Sequence, residues 1–238
     1  MCVSKSLLYF VYKFNFVFFP IKDIPVLNNR IAISLSVAFH PLIITTYLFA
    51  VLFVVTPDLV GVSALELPGL GSLLLLIFMN TFIAPAVIIY YFHRFGLISS
   101  LHVEDLRERR LPYMVCAIIY GISTYLFGWK LQPISELAPQ ISIILGSATV
   151  SLILVAIVSL LWKISAHATG FGGAIGILSA LLMRFDESAL LVPLLITIVT
   201  GGFLMSARLY LNAHTPGQIA AGLITGFLAS NAAIYFFF

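Results

Sequence analysis

Two histidines and several arginines are the residues of this sequence whose types and spacing suit chemistry. His167 follows Ser165 by two positions, and His214 follows Arg208 by six. Near pH 7 an imidazole can act as a nucleophile in its neutral form and as a general acid in its protonated form. Arginine presents fixed N–H donors that match the oxygens of a phosphate group. Together these residue types indicate a site for phosphate transfer or hydrolysis.

The pairs Ser165–His167 and Arg208–His214 form two groups, and the basic run at residues 107–110 is a third. Each of the three groups also has a plainer interpretation. The arginine run is typical of a charge anchor beside a membrane helix. Ser165 is typical of a helix cap, and Arg208 of a long side chain that extends to the membrane surface. The functional interpretation therefore requires that all three groups meet at one site.

The elements that must position these residues are membrane helices. Of the 238 residues, 61% are hydrophobic and 9% are charged, whereas soluble domains carry about 25% charged residues. The apolar runs extend over about 20 residues and lack the period-2 alternation of a membrane β-barrel. We therefore predict an all-α, polytopic membrane helical bundle with six to seven transmembrane helices.

One transmembrane domain is predicted, over residues 31–238, after an N-terminal segment. Residues 1–30 combine many aromatic side chains with Lys13 and Pro20, and we expect them to lie at the membrane interface. Pro85 is expected to kink the second span. His40, which precedes Pro41, is expected to be paired internally at a kink in the first. The predicted spans are approximately 31–56, 71–92, 112–129, 140–163, 168–183, 188–205 and 216–238.

Counting crossings places the three groups on one face of the membrane. The arginine run follows the second predicted span, His167 the fourth and His214 the sixth, so an even number of crossings separates them. Without the arginines assigned to chemistry, this face carries six Lys and Arg residues and the other face two. We expect a bacterial inner membrane, and the positive-inside rule then predicts that the site faces the cytoplasm.

The three groups resemble the motifs of the type 2 phosphatidic acid phosphatase (PAP2) superfamily. Its third motif is Ser-Arg, five residues, His, three residues, Asp; Arg208 and His214 match it, with Ser206 displaced by one position. Its second motif is Pro-Ser-Gly-His, of which Ser165–His167 keep the serine and the histidine. Its first motif ends in Arg-Pro and is matched only by the basic run that ends at Arg110–Pro112. The resemblance covers approximately residues 107–222.

This resemblance implies a mechanism and a set of site residues. His214 would attack phosphorus to give a phosphohistidine, and His167 would protonate the leaving oxygen. Gln218 stands where the family has Asp, so it can orient the His214 ring but supplies no negative charge. The family needs no metal or other cofactor. The residues expected to hold the phosphate oxygens are Arg208, Ser165, Ser206, Arg107 and Arg110.

The sequence thus predicts a PAP2-like membrane lipid phosphatase that acts on a lipid phosphate monoester or pyrophosphate. Phosphatidic acid, phosphatidylglycerol phosphate and polyprenyl pyrophosphate are the candidate substrates. Two alternatives stay open: a catalytically degenerate lipid-phosphate binder, suggested by Gln218, and a small membrane transporter. The formal charge of +3 is too small to indicate a nucleic-acid partner, so we expect membrane lipids as the other partners. The sequence leaves the oligomeric state open.

Overall fold

The computed structural model describes residues 28–100, 106, 108–132 and 134–238. The regular secondary structure of this part of the chain consists of helices alone, which contain 79% of its residues. The predicted all-α bundle is therefore confirmed. The helices are α1 (Asn29–Ala38), α2 (Pro41–Val55), α3 (Leu67–Arg94), α4 (Arg110–Lys130), α5 (Ile134–Leu137), α6 (Gln140–Val158), α7 (Ala166–Phe185), α8 (Ser188–Tyr210) and α9 (Pro216–Phe237).

Six of these helices are long and apolar enough to cross a membrane, namely α3, α4, α6, α7, α8 and α9. The bent pair α1 and α2 makes a seventh span if it is counted as one. Within the described residues, the structure is that of a multi-pass membrane protein. The predicted interfacial segment, residues 1–30, lies almost wholly outside the described residues, which begin at Asn28.

The first predicted span is divided into two helices at His40. A residue that precedes proline is disfavoured in the α conformation, and His40 has ψ of 139° with Pro41 at the start of α2. The His40 ring Nδ1 accepts the N–H of Leu42 at 3.4 Å and caps α2. As a result, α1 and α2 meet at an angle of 61°.

A change of helix type precedes Pro85 in α3, where the sequence predicts a kink. The turn before it, Met79–Ile83, widens into a π-helix, and α3 is not divided there into a strongly bent pair. Proline lacks an N–H, and the carbonyl of Thr81, four residues earlier, accepts instead the hydroxyl of Tyr120 at 3.0 Å. A bond from α4 thus satisfies the freed carbonyl.

Helix α7 lies at the centre of the bundle. Of its most apolar stretch 61% is buried, against 22% to 33% in the other five long helices. It packs closely on α9 because four glycines leave no side chain between the two main chains. Such small-residue contacts are the usual way for membrane helices to approach each other closely. The glycines are Gly172 and Gly176 in α7 and Gly222 and Gly226 in α9.

The close α7–α9 contact brings the N-terminal ends of both helices to the same end of the bundle. At the opposite end, Arg184 of α7 donates to the carbonyls of Ile234 and Tyr235 near the end of α9. A cation is favourable there, because the carbonyl end of a helix carries partial negative charge. The two helices are therefore held in register at both ends.

Candidate active site

His214 lies in the short link between α8 and α9, and the cap of α9 holds its ring. Gln218 Oε1 accepts the main-chain N–H of Thr215 at 3.2 Å, which identifies that atom as the oxygen of the amide. The same oxygen lies 3.1 Å from His214 Nδ1. Since a carbonyl oxygen only accepts, Nδ1 carries the ring hydrogen. Nε2 therefore keeps its lone pair, as a nucleophile requires.

The surroundings of His214 favour the neutral ring. The residue is 8% exposed, and burial lowers the pKa of His214 to about 4. The cations Arg208, Arg109 and Lys163 lower this pKa further, whereas the bond to Gln218 acts in the opposite direction. Near neutral pH, His214 is therefore an uncharged imidazole among three cations.

The lowered pKa of His214 makes a prediction about pH. An imidazole is protonated below its pKa, so His214 should stay neutral at pH 5.5, where a histidine with the ordinary value of about 6.5 is mostly charged. NMR titration of the purified protein with labelled histidine should show one ring that titrates near pH 4. That resonance should be missing from His214→Asn. A His214 resonance that titrates near 6.5 would contradict the prediction.

His167 is the second residue of α7 and faces the break between α1 and α2. Its Nε2 lies 3.1 Å from the main-chain carbonyl of Ser36 and therefore donates to it. Its ring packs edge-on against that of His40, with 6.1 Å between the ring centroids. Arg208, His40 and His214 all act on it electrostatically. The two histidines singled out in the sequence thus share one electrostatic environment, with Arg208 acting on both.

Ser165 joins the first turn of α7 to the first turn of α9. It is fully buried, and its hydroxyl oxygen accepts the N–H of Ala168 at 3.3 Å to cap α7. Its own N–H donates to the main-chain carbonyl of Gln218 at 3.3 Å. The structure therefore places Ser165 between the two histidine-bearing segments, where it fixes their relative position.

The arginine run reaches the site through Arg109. This side chain is 6% exposed, donates to the carbonyl of Ile164 at 3.5 Å and acts electrostatically on His214. Arg110, by contrast, is exposed and donates to the carbonyl of Leu160 at 3.1 Å, near the end of α6. Arg107 lies outside the described residues.

Ser206 is not brought to the histidines by any contact of the described residues. Its hydroxyl donates to the carbonyl of Gly202, one turn earlier in α8, at 2.9 Å. Ser206 precedes His214 by eight positions in the sequence. The residue of α8 that contacts the site is Arg208, not Ser206. The structure thus gathers His214, Gln218, His167, Ser165 and Arg208, and adds Arg109.

No family model matches the chain, and no curated protein and no solved structure does. The family resemblance therefore depends on the spacing of the site residues themselves. Of the residues in the third motif, Arg208 acts electrostatically on His214.

Two residues of the site, Ser36 and His40, were not anticipated as such. Ser36 contacts both His167 and Arg208. His40 carried a weak sequence signal, because an ionisable residue inside an apolar span often marks a functional site. Nothing in the sequence around Ser36 indicates that its carbonyl faces a histidine 131 positions away.

The charges at this site suit an anion. Its cations are Arg109, Lys163 and Arg208, and Glu108, next to Arg109 in the chain, bonds instead to Ser99. In the part of the chain that the structure describes, no three His, Cys, Asp or Glu residues are grouped as metal ligands would be. The arrangement can therefore bind a phosphate group and present an imidazole to it.

Proposed function

We propose that this protein is a membrane phosphatase that hydrolyses a lipid phosphate monoester or pyrophosphate through a phosphohistidine on His214. The observation that supports this most is the His214–Gln218 bond, which leaves Nε2 of a buried, neutral ring unprotonated. Three cations from three different segments, Arg208, Arg109 and Lys163, act electrostatically on this ring. A nucleophile and positive charge for the phosphate oxygens are the two requirements of such a reaction.

In the first step, Nε2 of His214 attacks phosphorus as the bond from phosphorus to the leaving oxygen breaks. The lone pair of Nε2 forms the P–N bond, and the ring becomes positively charged. Its Nδ1–H donates to the Gln218 carbonyl, which stabilises that charge. Arg208 and Arg109 stabilise the negative charge on the equatorial oxygens. The leaving oxygen takes a proton from His167, which acts as the general acid in its protonated, imidazolium form beside the phosphate anion and is left as a neutral imidazole.

In the second step, water attacks the phosphohistidine and the P–N bond breaks. His167, now lacking the proton that it gave away, accepts one from the attacking water. Inorganic phosphate leaves, and the lone pair returns to Nε2 of His214. The cycle is balanced without a cofactor.

A lipid substrate is favoured by the surroundings of the site. A cavity of about 70 Å³ lies between α2, α4, α6 and α7, with a mainly apolar lining. A cavity needs about 10–15 Å³ of such volume to hold one water, so this cavity has room for a stretch of hydrocarbon chain. Pro41 and Ala166, which line it, are the chain neighbours of His40 and His167. A phosphate at the histidines would thus have space for its apolar tail nearby.

We place the protein in a bacterial inner membrane with the site at the cytoplasmic face. This rests on the excess of Lys and Arg residues on that side of the sequence, counted without the site arginines. The candidate substrates are phosphatidic acid, phosphatidylglycerol phosphate and polyprenyl pyrophosphate.

The test is phosphate release by the purified protein in detergent. Each of the three lipids is offered beside a water-soluble phosphate ester, and an acid-labile ³²P label on the protein is sought after rapid quenching. We expect release from at least one lipid, faster than from the soluble ester, and a label on His214. If none of these lipids is hydrolysed and no label forms, the phosphatase proposal is wrong.

Gln218 favours a second candidate, a lipid-phosphate binder without turnover. Loss of an equivalent carboxylate costs about 10⁴-fold in a serine protease triad, and an amide leaves His214 oriented but without a charged partner. The same assay on Gln218→Asp separates the two candidates. A phosphatase should release phosphate faster with the carboxylate, whereas a binder should retain lipid and release none in either form.

A further inference from the structure

The C-terminal end of α1 is directed into the site. Ser36 and Ala32 are the buried residues of this ten-residue helix; they lie one turn apart, so they mark a single packed face. The Ser36 hydroxyl accepts from Arg208 Nη1 at 3.2 Å and donates to the Ala32 carbonyl at 2.9 Å. This face lies against α8, the helix that carries Arg208.

The Ser36 carbonyl is available to His167 because α1 ends at that point. The N–H of Phe39 donates to the carbonyl of Leu35, and the N–H of His40 donates to the carbonyl of Val37. Neither bond uses the carbonyl of Ser36. It accepts Nε2–H of His167 instead, at 3.1 Å. The end of a helix leaves such carbonyls without partners in the helix, and it carries about half a unit of negative charge.

The end of α1 therefore behaves as an anion toward the site. Its two oxygens on Ser36 engage one guanidinium and one imidazole. These are the donors to which the proposed function assigns a non-bridging oxygen and the leaving oxygen of a phosphate. A phosphate group carries between one and two full charges near neutral pH, so it should compete strongly with a partial charge of about one half.

The attachment of α1 suits a segment that can move. Its junction to α2 at Phe39 and His40 is not helical and carries the 61° bend. Within this helix, Ala32 and Ser36 are buried and Leu35 is partly buried against the core, so a limited apolar area holds it in place. A pivot at His40 would release Ser36 at the cost of the bond from the Tyr47 hydroxyl of α2 to the carbonyl of Ala38.

We propose that the end of α1 occupies the phosphate subsite, with Ser36 in the place of two phosphate oxygens, and that a bound phosphate group displaces it. This proposal rests on the proposed function for its choice of anion. It also assigns His40 a position beside the bound phosphate, because the His40 ring packs against that of His167. The contact of α1 with the site is thereby self-inhibitory.

Cysteine labelling can detect the displacement. Ala32 has no exposed surface, whereas Ser34 is exposed on the same helix, so Ala32→Cys reports release of α1 and Ser34→Cys is the matched control. Both are made in a Cys2→Ser, Cys116→Ala background and labelled with a polar maleimide in detergent. Orthovanadate and phosphatidic acid are the probes, and chloride is the control anion.

We expect either probe to speed labelling of Ala32→Cys by about tenfold or more and to leave Ser34→Cys unchanged. Binding of the probe is measured separately by calorimetry on the same protein. If the probe binds and labelling of Ala32→Cys is unchanged or slower, the displacement is wrong while the proposed function stands. If neither probe binds, the anion site itself is wrong, and the proposed function fails with it.

Ser36→Ala provides a second test that distinguishes competition from positioning. This variant loses the hydroxyl that engages Arg208 but keeps the main-chain carbonyl and the helix. If α1 competes with the anion, loss of its bond to Arg208 should let vanadate bind more tightly, with a lower Kd than in the parent protein. A higher Kd would mean that Ser36 supports the site, and would overturn the proposal.

Discussion

Replacement of His214 by alanine should abolish phosphate release from the lipid substrate. Loss of the nucleophile in a hydrolase that works through a covalent intermediate lowers kcat by about 10⁶-fold in a well-studied protease. Here we expect a loss of at least about 10³-fold, because the remaining cations still bind the substrate without any group to attack it. The ³²P label on the protein should disappear, while binding of lipid phosphate persists.

His93→Ala is the matched control for this experiment. His93 lies at the end of α3, is exposed, and its Nδ1 lies 3.3 Å from the carbonyl of Ile98. It should keep full activity, and both variants should elute and unfold like the parent protein. Phosphate release by His214→Ala at the parent rate would contradict the mechanism. In the described site, His214 is the ring whose Nδ1–H bonds to a glutamine and whose Nε2 is left unprotonated.

The long helices were predictable because hydropathy alone determines them. The predicted spans at 112–129 and 188–205 correspond to α4 (Arg110–Lys130) and α8 (Ser188–Tyr210), which extend beyond the predicted bounds by one to five residues. These extensions include Arg110 and Arg208, whose charge ended the apolar run in the sequence while their backbones continued the helix. Long side chains at such ends reach water although the helix goes on.

The first span differs because one proline overrides its hydropathy. Residues 31–56 are apolar enough for a single helix, but Pro41 excludes the helical conformation at His40 and α1 turns away from α2. The direction of that turn is set by α8, with which α1 packs. Contacts between segments so distant in the chain leave no periodic signal, and the role of Ser36 was therefore hidden.

The site was partly predictable for a similar reason. Arg208 and His214 are separated by a link too short to cross the membrane, so they must lie at one end of the bundle. Which arginine of the run 107–110 points inward was not predictable, since neighbouring residues of a helix face about 100° apart. The structure turns Arg109 inward and Arg110 outward, a choice made by the packing of α4.

Gly170, Gly172 and Gly173 lie in the first half of α7, after His167. The structure gives Gly172 a packing role, because a Cβ there would collide with the main chain of Leu223 in α9. The partners on α9 lie 50 residues further along, and a single sequence does not show which glycines face each other. Close packing of α7 on α9 is nevertheless what positions His167 relative to His214, through Ser165 and Gln218.

Gly226→Ala should therefore destabilise the protein strongly and disable the site together with it. A Cβ on Gly226 would collide with the carbonyl oxygen of Thr169 and lie 2.7 Å from the main-chain nitrogen of Gly173. Both are backbone atoms, so no side-chain rotation relieves the overlap and the helices must separate. Overpacking of a core costs about 1–3 kcal/mol, occasionally more, and we expect the upper end or beyond.

Gly202→Ala is the matched control, since a Cβ on Gly202 would meet no atom within 4 Å. Alanine is about 1 kcal/mol better than glycine inside a helix, so this variant should be as stable as the parent or slightly more. Thermal unfolding in detergent should show a clearly lower Tm for Gly226→Ala alone, with phosphate release reduced in the protein that remains folded. Equal Tm values for the two variants would mean that α7 and α9 are not in close contact, and the geometry that brings the two histidines together would no longer be supported.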